Sequence, residues 1–386
     1  MINFRLLISV CICIITLLID NSIVLYSRLV SATPRQSAYF TYFLTIVSFP
    51  FANNLDLSKN EYGEGSGTDW MYFPDGDGAL HYIDLRVCKD KMIATRNAFE
   101  LGPITGTSDD IEFRLYNRNV TTYILLNNQG QAVNESDQDT VTKILRSSLP
   151  IKMITHGWHS STDNKDLLNI TKAYLLKEVN VISVDWSSIA NYFVYIWAAY
   201  STSTIGATVA KFLDALNEEY NVTGDQLHLI GHSLGAHVMG SAAARTNSSV
   251  YRITGLDPAR PFYEVPDCCK FESLDASDAE IVDVIHTCAG LLGFQGAIGT
   301  VDFFPNEGIA PQPGCADLTK ITTGCSHTIS KHYFLESIIH PKMYPAYECS
   351  SWQDFLDHKC NHTGYMGEAV NRNMTGRYYL TTNGTE

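Results

Sequence analysis

The sequence predicts an α/β chain with a mostly parallel sheet flanked by helices, and three observations carry that expectation. Short apolar runs alternate with longer helical patterns over most of the chain. A serine bracketed by glycines, Gly231-His232-Ser233-Leu234-Gly235, lies between a strand pattern and a helix pattern. An aspartate at the end of a later strand pattern and then a histidine just before a later helix pattern follow it.

Strands are expected at residues 113–116, 122–126, 152–155, 181–184, 226–230, 251–256 and 282–286, where β-branched and aromatic residues cluster. Helices are expected at 167–176, 195–220, 234–244 and 329–339, from apolar positions recurring at helical spacing. The 386 residues leave room for two domains, but a single α/β unit of this size is common. A hydrophobic content of 45% is enough for a large core. The formal charge of −14 argues against nucleic acid and against tight docking on anionic membranes.

The N-terminus reads as a targeting segment. Arg5 precedes the apolar run 6–19, which Asp20 interrupts before it spans a bilayer comfortably, and Val30-Ser31-Ala32 offers small residues for cleavage. A signal peptide is therefore expected at 1–32, with a leader reaching about 52 as a longer version and an uncleaved signal anchor as the runner-up. Residues 53–106 are Gly/Asp/Ser-rich and expected to be a loose lead-in, with Met71-Tyr72-Phe73-Pro74 tacking onto a catalytic domain at 107–386. Sequons at Asn119, Asn134, Asn169, Asn221, Asn247, Asn361, Asn373 and Asn383 fit a secreted, extracellular chain.

A serine on a sharp strand-to-helix turn is lifted out of the sheet, with a helix N-terminus behind it. Ser233 is therefore the candidate nucleophile, and the plain alternative is a tight turn without chemistry. A serine hydroxyl needs a base, and the base an orienting carboxylate. Asp257 ends the pattern 251–256, where Pro258 stops the ladder; an Asp-Pro turn is the bland reading. His327, in Cys325-Ser326-His327 just before the helical pattern 329–339, is the candidate base. Of the competing histidines, His232 and His237 ride on the elbow and are expected to pack, while His286 is expected to be a hydrogen-bonded core residue. His156 belongs to Thr155-His156-Gly157-Trp158, a strand ending in a glycine turn. A second oxyanion N–H comes from such a loop in folds of this kind, so the hole is assigned to the backbone N–H groups of Trp158 and Leu234.

These segments, with Val184-Asp185-Trp186, Asp283-Val284-Ile285-His286-Thr287 and Asp302-Phe303-Phe304-Pro305-Asn306, follow one another as in the pancreatic-lipase family. The chain resembles that family from about Ile111 to its C-terminus. The resemblance implies an α/β-hydrolase fold and a Ser233, Asp257, His327 triad acting on glycerolipid or phospholipid esters at a lipid interface, without a cofactor. The chain stops soon after Tyr378-Tyr379-Leu380, so the C-terminal β-sandwich of digestive relatives and a colipase-like partner are not expected.

Some relatives place calcium near a segment similar to Leu274-Asp275-Ala276-Ser277-Asp278, but two carboxylates are too few and no metal is expected. Apart from Cys11 and Cys13 in the leader, the cysteines are even in number, which suggests disulfides. Cys315 with Cys325, and Cys349 with Cys360, match family pairs. Adjacent Cys268 and Cys269 rarely bond each other, so they are expected to pair with Cys88 and Cys288 in one of two arrangements.

Within the family, the branch turns on two loops. The segment 316–324 is short, with only Leu318 and Ile321 as apolar cover, and the loop 288–299 is short as well. Both resemble the phospholipase A1 branch, which implies sn-1 deacylation of phospholipids. A neutral triacylglycerol lipase is the alternative, and a silent lipid-carrying or yolk-type protein the alternative of another class. A carrier would have no physical need to keep all three triad residues.

Overall fold

A computed structural model describes residues 65–383 of the chain, apart from 76–77, 87–109, 121, 193, 268–269, 318–319, 321–323 and 361. The expected leader therefore lies outside the described residues, as do Cys88, Cys268, Cys269, Leu318, Ile321 and Asn361.

The first described elements form a hairpin inside the stretch expected to be a loose lead-in. Strands β1 (Trp70–Pro74) and β2 (Leu80–Asp84) pair antiparallel. Asp75 closes the turn by accepting from the Ala79 N–H. Met71, Phe73, Ile83 and Leu85 are buried in the main core, so this short alternation is used as a packing face.

The main sheet begins with β3 (Glu112–Tyr116), β4 (Ile124–Leu126), β5 (Ile151–Thr155), β6 (Asn180–Asp185) and β7 (Leu227–His232). It continues with β8 (Arg252–Leu256), β9 (Ile281–Ile285), β10 (Val301–Pro305), β11 (Pro345–Glu348), β12 (His362–Tyr365) and β13 (Gly376–Leu380). Its order is β12-β11-β13-β10-β9-β8-β7-β5-β6-β3-β4. The strands from β6 through β13 along that order pair in parallel, and both edges close antiparallel.

The helices are α1 (Gln138–Leu145), α2 (Lys165–Leu175), α3 (Ser187–Ala190), α4 (Tyr195–Tyr220), α5 (Leu234–Ala243), α6 (Cys325–Ile339) and α7 (Trp352–Leu356). One apolar cluster joins the sheet to α4 and α5, and another joins it to α2 and α6. That is the flanked, mostly parallel sheet the sequence predicts. The chain runs from β5 to β6 on one side and then crosses to β7 on the other, so the strand order reverses between β5 and β7. Crevices of this kind open at the C-terminal ends of such strands.

Three sequence readings shift. Gln226 lies in a 3₁₀ turn, Gly224–Gln226, and not in the strand. His286 lies just past the end of β9. His327 sits in the first turn of α6 and not before it, because the helix starts at Cys325, capped by Gly324 at φ 71°. Cys315–Cys325 and Cys349–Cys360 are both bonded as expected. The pairing expected for Cys288 is corrected: its thiol is free and buried in the core, where burial raises its pKa.

A charged network not anticipated from sequence lies on one face of the central strands. Arg252 forms a two-point pair with Asp283, at 2.7 and 3.0 Å, and also donates to the carbonyls of Gly367 and Glu368. Lys152 reaches Glu368 Oε1 at 2.7 Å and His228 Nδ1 at 3.0 Å. Since Lys152 can only donate, His228 carries its proton on Nε2 and gives it to Thr254 Oγ1. Burial, then Lys152 and Arg252, keep that imidazole well below its ordinary pKa.

Burial works to raise the Glu368 carboxyl, but Lys152 and Arg252 outweigh it and hold it below the glutamate range. A depressed carboxyl contributes stability that is complete above its unfolded value of about 4.3 and is lost as pH falls through the folded value. Glu368→Gln should lower the unfolding free energy at pH 7 by about 2–3 kcal/mol. That is at or below the cost of breaking a fully buried pair, because the Glu368 side chain is 22% exposed. The gap to wild type should narrow below about pH 4, which urea titrations at pH 7 and 3.5 will read.

Candidate active site

At the end of β7 the chain turns through Ser233 at φ 58° and ψ −122°, a backbone region costing about 1–3 kcal/mol for a non-glycine residue. The turn is fixed on both sides. The Ser233 N–H donates to Leu256 O at 3.1 Å, and the Ala236 N–H donates to Ser233 O at 3.1 Å. A side chain at Gly231 would collide with the backbone of Gly235, and one at Gly235 would meet His156 O at 2.6 Å. Both glycines of the motif are therefore demanded by sterics.

Asp257 leaves the end of β8 at φ 45° and is fully buried. Its Oδ1 accepts the N–H groups of Thr287 and Cys288 at 2.8 and 3.0 Å, and its Oδ2 lies 2.5 Å from His327 Nδ1. A carboxylate can only accept, so His327 carries a proton on Nδ1 and turns Nε2 away from Asp257. His327 Nε2 and Ser233 Oγ are both buried and have no hydrogen-bond partner. The elbow and the helix bearing His327 meet directly: the two rings of His232 and His327 are 4.7 Å apart, and His232 Nε2 donates to the His327 carbonyl at 3.2 Å. Burial, then Lys331 and His327, hold His232 well below its ordinary pKa.

The remaining histidines behave as expected of packing residues. His237 donates to Ala259 O, accepts from the Leu274 N–H and stacks on Tyr263, with burial holding its pKa down at about 3. His286 is fixed between Phe294 O and Asp302 Oδ1. In the loop 288–299, Leu292 and Phe294 are buried, Leu291 and Ile298 half-buried, and Ala297 exposed.

The loop after β5 lies on the serine. A Cβ at Gly157 would come within 2.8 Å of Ser233 Cβ and 3.3 Å of its Oγ. Neither the Trp158 nor the Leu234 N–H meets a protein acceptor among the described residues. Trp158 is buried and donates through its indole to Tyr192 O at 2.9 Å. Sequence reasoning missed the residues closing this apolar corner. The Phe73 ring from the β1–β2 hairpin packs edge-on against His327 and Trp158, and Tyr195 packs on both Phe73 and Trp158. The only signal was the run Met71-Tyr72-Phe73-Pro74, which marked attachment without saying where. Among the described residues no acidic, cysteine or histidine cluster could hold a metal ion.

A doubly wound parallel sheet with a strand–serine–helix elbow and a buried aspartate–histidine pair is the arrangement of the α/β-hydrolase fold. The chain belongs to the Lipase family, whose model matches residues 86–386. It is 34% identical to the pancreatic triacylglycerol lipase of Myocastor coypus, over 62% of this chain and 57% of that protein. It is 36% identical to the inactive pancreatic lipase-related protein 1 of Mus musculus, over 62% and 55%. The chain thus spans just over half the length of either relative. Among solved structures, MGS-M1, an alpha/beta hydrolase enzyme from a Medee basin deep-sea metagenome library, is similar at 17% identity and a TM-score of 0.27. That match covers 46% of this chain and 68% of the other.

Gly293 gives a test of the aspartate's seat. A Cβ there would sit on the Asp257 carboxylate. Under the esterase reading proposed below, Gly293→Ala should displace the carboxylate from His327 and cut ester turnover by about 100-fold, the scale of a misplacement near 1 Å. Steady-state hydrolysis beside a melting curve separates this from simple unfolding.

Proposed function

We propose that this chain is a secreted serine esterase of glycerolipids, with phospholipids deacylated at the sn-1 position as its substrate class. The single observation that supports the chemistry is the buried Asp257–His327 pair, with Ser233 Oγ and His327 Nε2 left unpartnered beside it. In this reading His327 Nε2 takes the Ser233 proton as Oγ attacks the ester carbonyl, and returns it to the departing alcohol. Asp257 holds the imidazole in the Nδ1–H form and stabilises the imidazolium. The N–H groups of Trp158 and Leu234 receive the oxyanion, and water then releases the fatty acid from the acyl-enzyme.

The phospholipid assignment rests on the short 316–324 and 288–299 loops, which resemble those of the phospholipase A1 branch. A second reading, neutral triacylglycerol hydrolysis, is favoured by the likeness to the pancreatic triacylglycerol lipase of Myocastor coypus. A lipid carrier without turnover is favoured by the inactive mouse relative, and the intact Ser233, Asp257 and His327 weigh against it. Export is supported by the N-terminal apolar run, the two disulfides and the sequons. No helix among the described residues is long and apolar enough to cross a membrane.

Ser233→Ala is expected to remove ester hydrolysis by about a millionfold in kcat while leaving folding intact. Asp257→Asn and His327→Ala should be severe and not additive with it. Phosphatidylcholine labelled separately at each acyl position should release the sn-1 chain. Rapid hydrolysis of triolein with neither phospholipid chain released selects the neutral lipase, and turnover by Ser233→Ala removes the whole reading.

A further inference from the structure

Gly157 poses a physical problem for the oxyanion loop. Its Cα faces Ser233 so closely that no side chain fits. The residue whose peptide must be held still is therefore the one with the most backbone freedom. The Gly157–Trp158 peptide is trans and planar, so its carbonyl and the Trp158 N–H point to opposite edges of one plate. Whatever holds the Gly157 carbonyl aims the Trp158 N–H.

The holder is His156. His156 is fully buried, and its Nδ1 lies 2.9 Å from Gly157 O. Its Nε2 accepts the Trp186 N–H at 3.1 Å. Asp185 Oδ1 is 3.6 Å from Nε2, beyond hydrogen-bond range, and already accepts the Ser187 N–H. A backbone N–H can only donate, so Nε2 is the bare nitrogen and Nδ1 carries the proton that Gly157 O receives. The ring is clamped flat on Trp186, whose indole N–H returns to the His156 carbonyl at 3.1 Å. On the far side, the indole of Trp158 is tied to Tyr192 O. The plate is gripped at both ends.

We propose that His156 is a positioning residue of the oxyanion hole, which holds the Trp158 N–H toward the oxyanion of the tetrahedral intermediate through the Gly157 carbonyl. This rests on the Ser233 esterase reading. His156 touches neither substrate nor nucleophile. Losing it frees the peptide to rotate, so the donor is present but unaimed when the tetrahedral intermediate forms. The effect falls on the transition state and spares substrate binding.

The test is kinetic. His156→Ala should lower kcat on a soluble p-nitrophenyl ester by about 10- to 100-fold, a share of the 10²–10³ lost when an oxyanion donor is removed outright. KM should change less than about twofold, since ground-state binding is untouched. A boronic acid that forms a tetrahedral adduct on Ser233 should weaken in parallel with kcat, while a non-hydrolysable ether lipid should not. His156→Asn, whose amide N–H stands near the Nδ1 position, should recover most of the loss. Full kcat in His156→Ala, with Ser233→Ala inactive, overturns the proposal and leaves the nucleophile standing. Turnover by Ser233→Ala overturns the underlying reading instead. If His156→Ala does not fold, ¹⁵N-histidine NMR of the wild-type protein decides: a neutral ring protonated on Nδ1 supports the aim, and one protonated on Nε2 overturns it.

Discussion

The whole candidate site depends on how closely three stretches of backbone approach at the crossing of β5, β7 and α5. Gly231 has Gly235 against it, Gly235 has the His156 carbonyl against it, and Gly157 lies against Ser233. With no side chains between them, the turn at Ser233 has nowhere to relax, and its strained φ of 58° is held by packing on every side. The same contacts set the oxyanion loop against the hydroxyl. A methyl at any of the three glycines would spread the layers by more than a hydrogen-bond length can absorb. The elbow is therefore a property of two segments far apart in sequence, 155–157 and 231–235, even though its motif is only five residues long.

That contrast explains what the sequence made legible. Residues 195–220 read as one helix because their apolar positions recur throughout, and the helix ends where Asn221 adopts φ 58°. The strand ends carrying Ser233 and Asp257 were legible because a glycine turn and a proline stop mark them locally. Strands β10 to β13 were not read as strands. They are short, Val301–Pro305 ends in proline, and their pairing is non-local, which no window of sequence reports. The Lys152–Glu368–Arg252–Asp283 network was hidden for the same reason: each member looks like an ordinary surface charge until register brings them together. The contact of Phe73 with His327 had no local signal either. Cys288 was misread because counting cysteines assumes that each one is oxidised, and its sulfur instead fills apolar core.

The two polar systems divide the central strands between them. Lys152, His228 and Arg252 sit at the first or second position of β5, β7 and β8, and Asp283 at the middle of β9. His156, Ser233 and Asp257 follow the last residues of β5, β7 and β8. The beginning of the sheet is locked by charge to the segment at Gly367 and Glu368, which leaves the other end free to carry loops. Buried charge of this kind contributes little net stability over an apolar core, but it tolerates only one register. Register is what a site assembled from strand ends requires, since a slip of one residue would send every side chain to the opposite face.

The same division bears on how a substrate reaches the serine. In the loop following β9, Leu292 and Phe294 are turned into the core, while Leu291 and Ile298 are half-buried. The apolar side chain standing against the proposed base belongs to the N-terminal hairpin: Phe73 contacts His327, Trp158 and Tyr195 together. Pro74 beside it is packed on Gly324, the residue that caps the His327 helix. The hairpin thus touches the base, the oxyanion loop and the start of α6, while Asp257 and Ser233 are fixed from below by the sheet. A segment before the sheet therefore supplies the apolar surface that stands against His327 and Trp158.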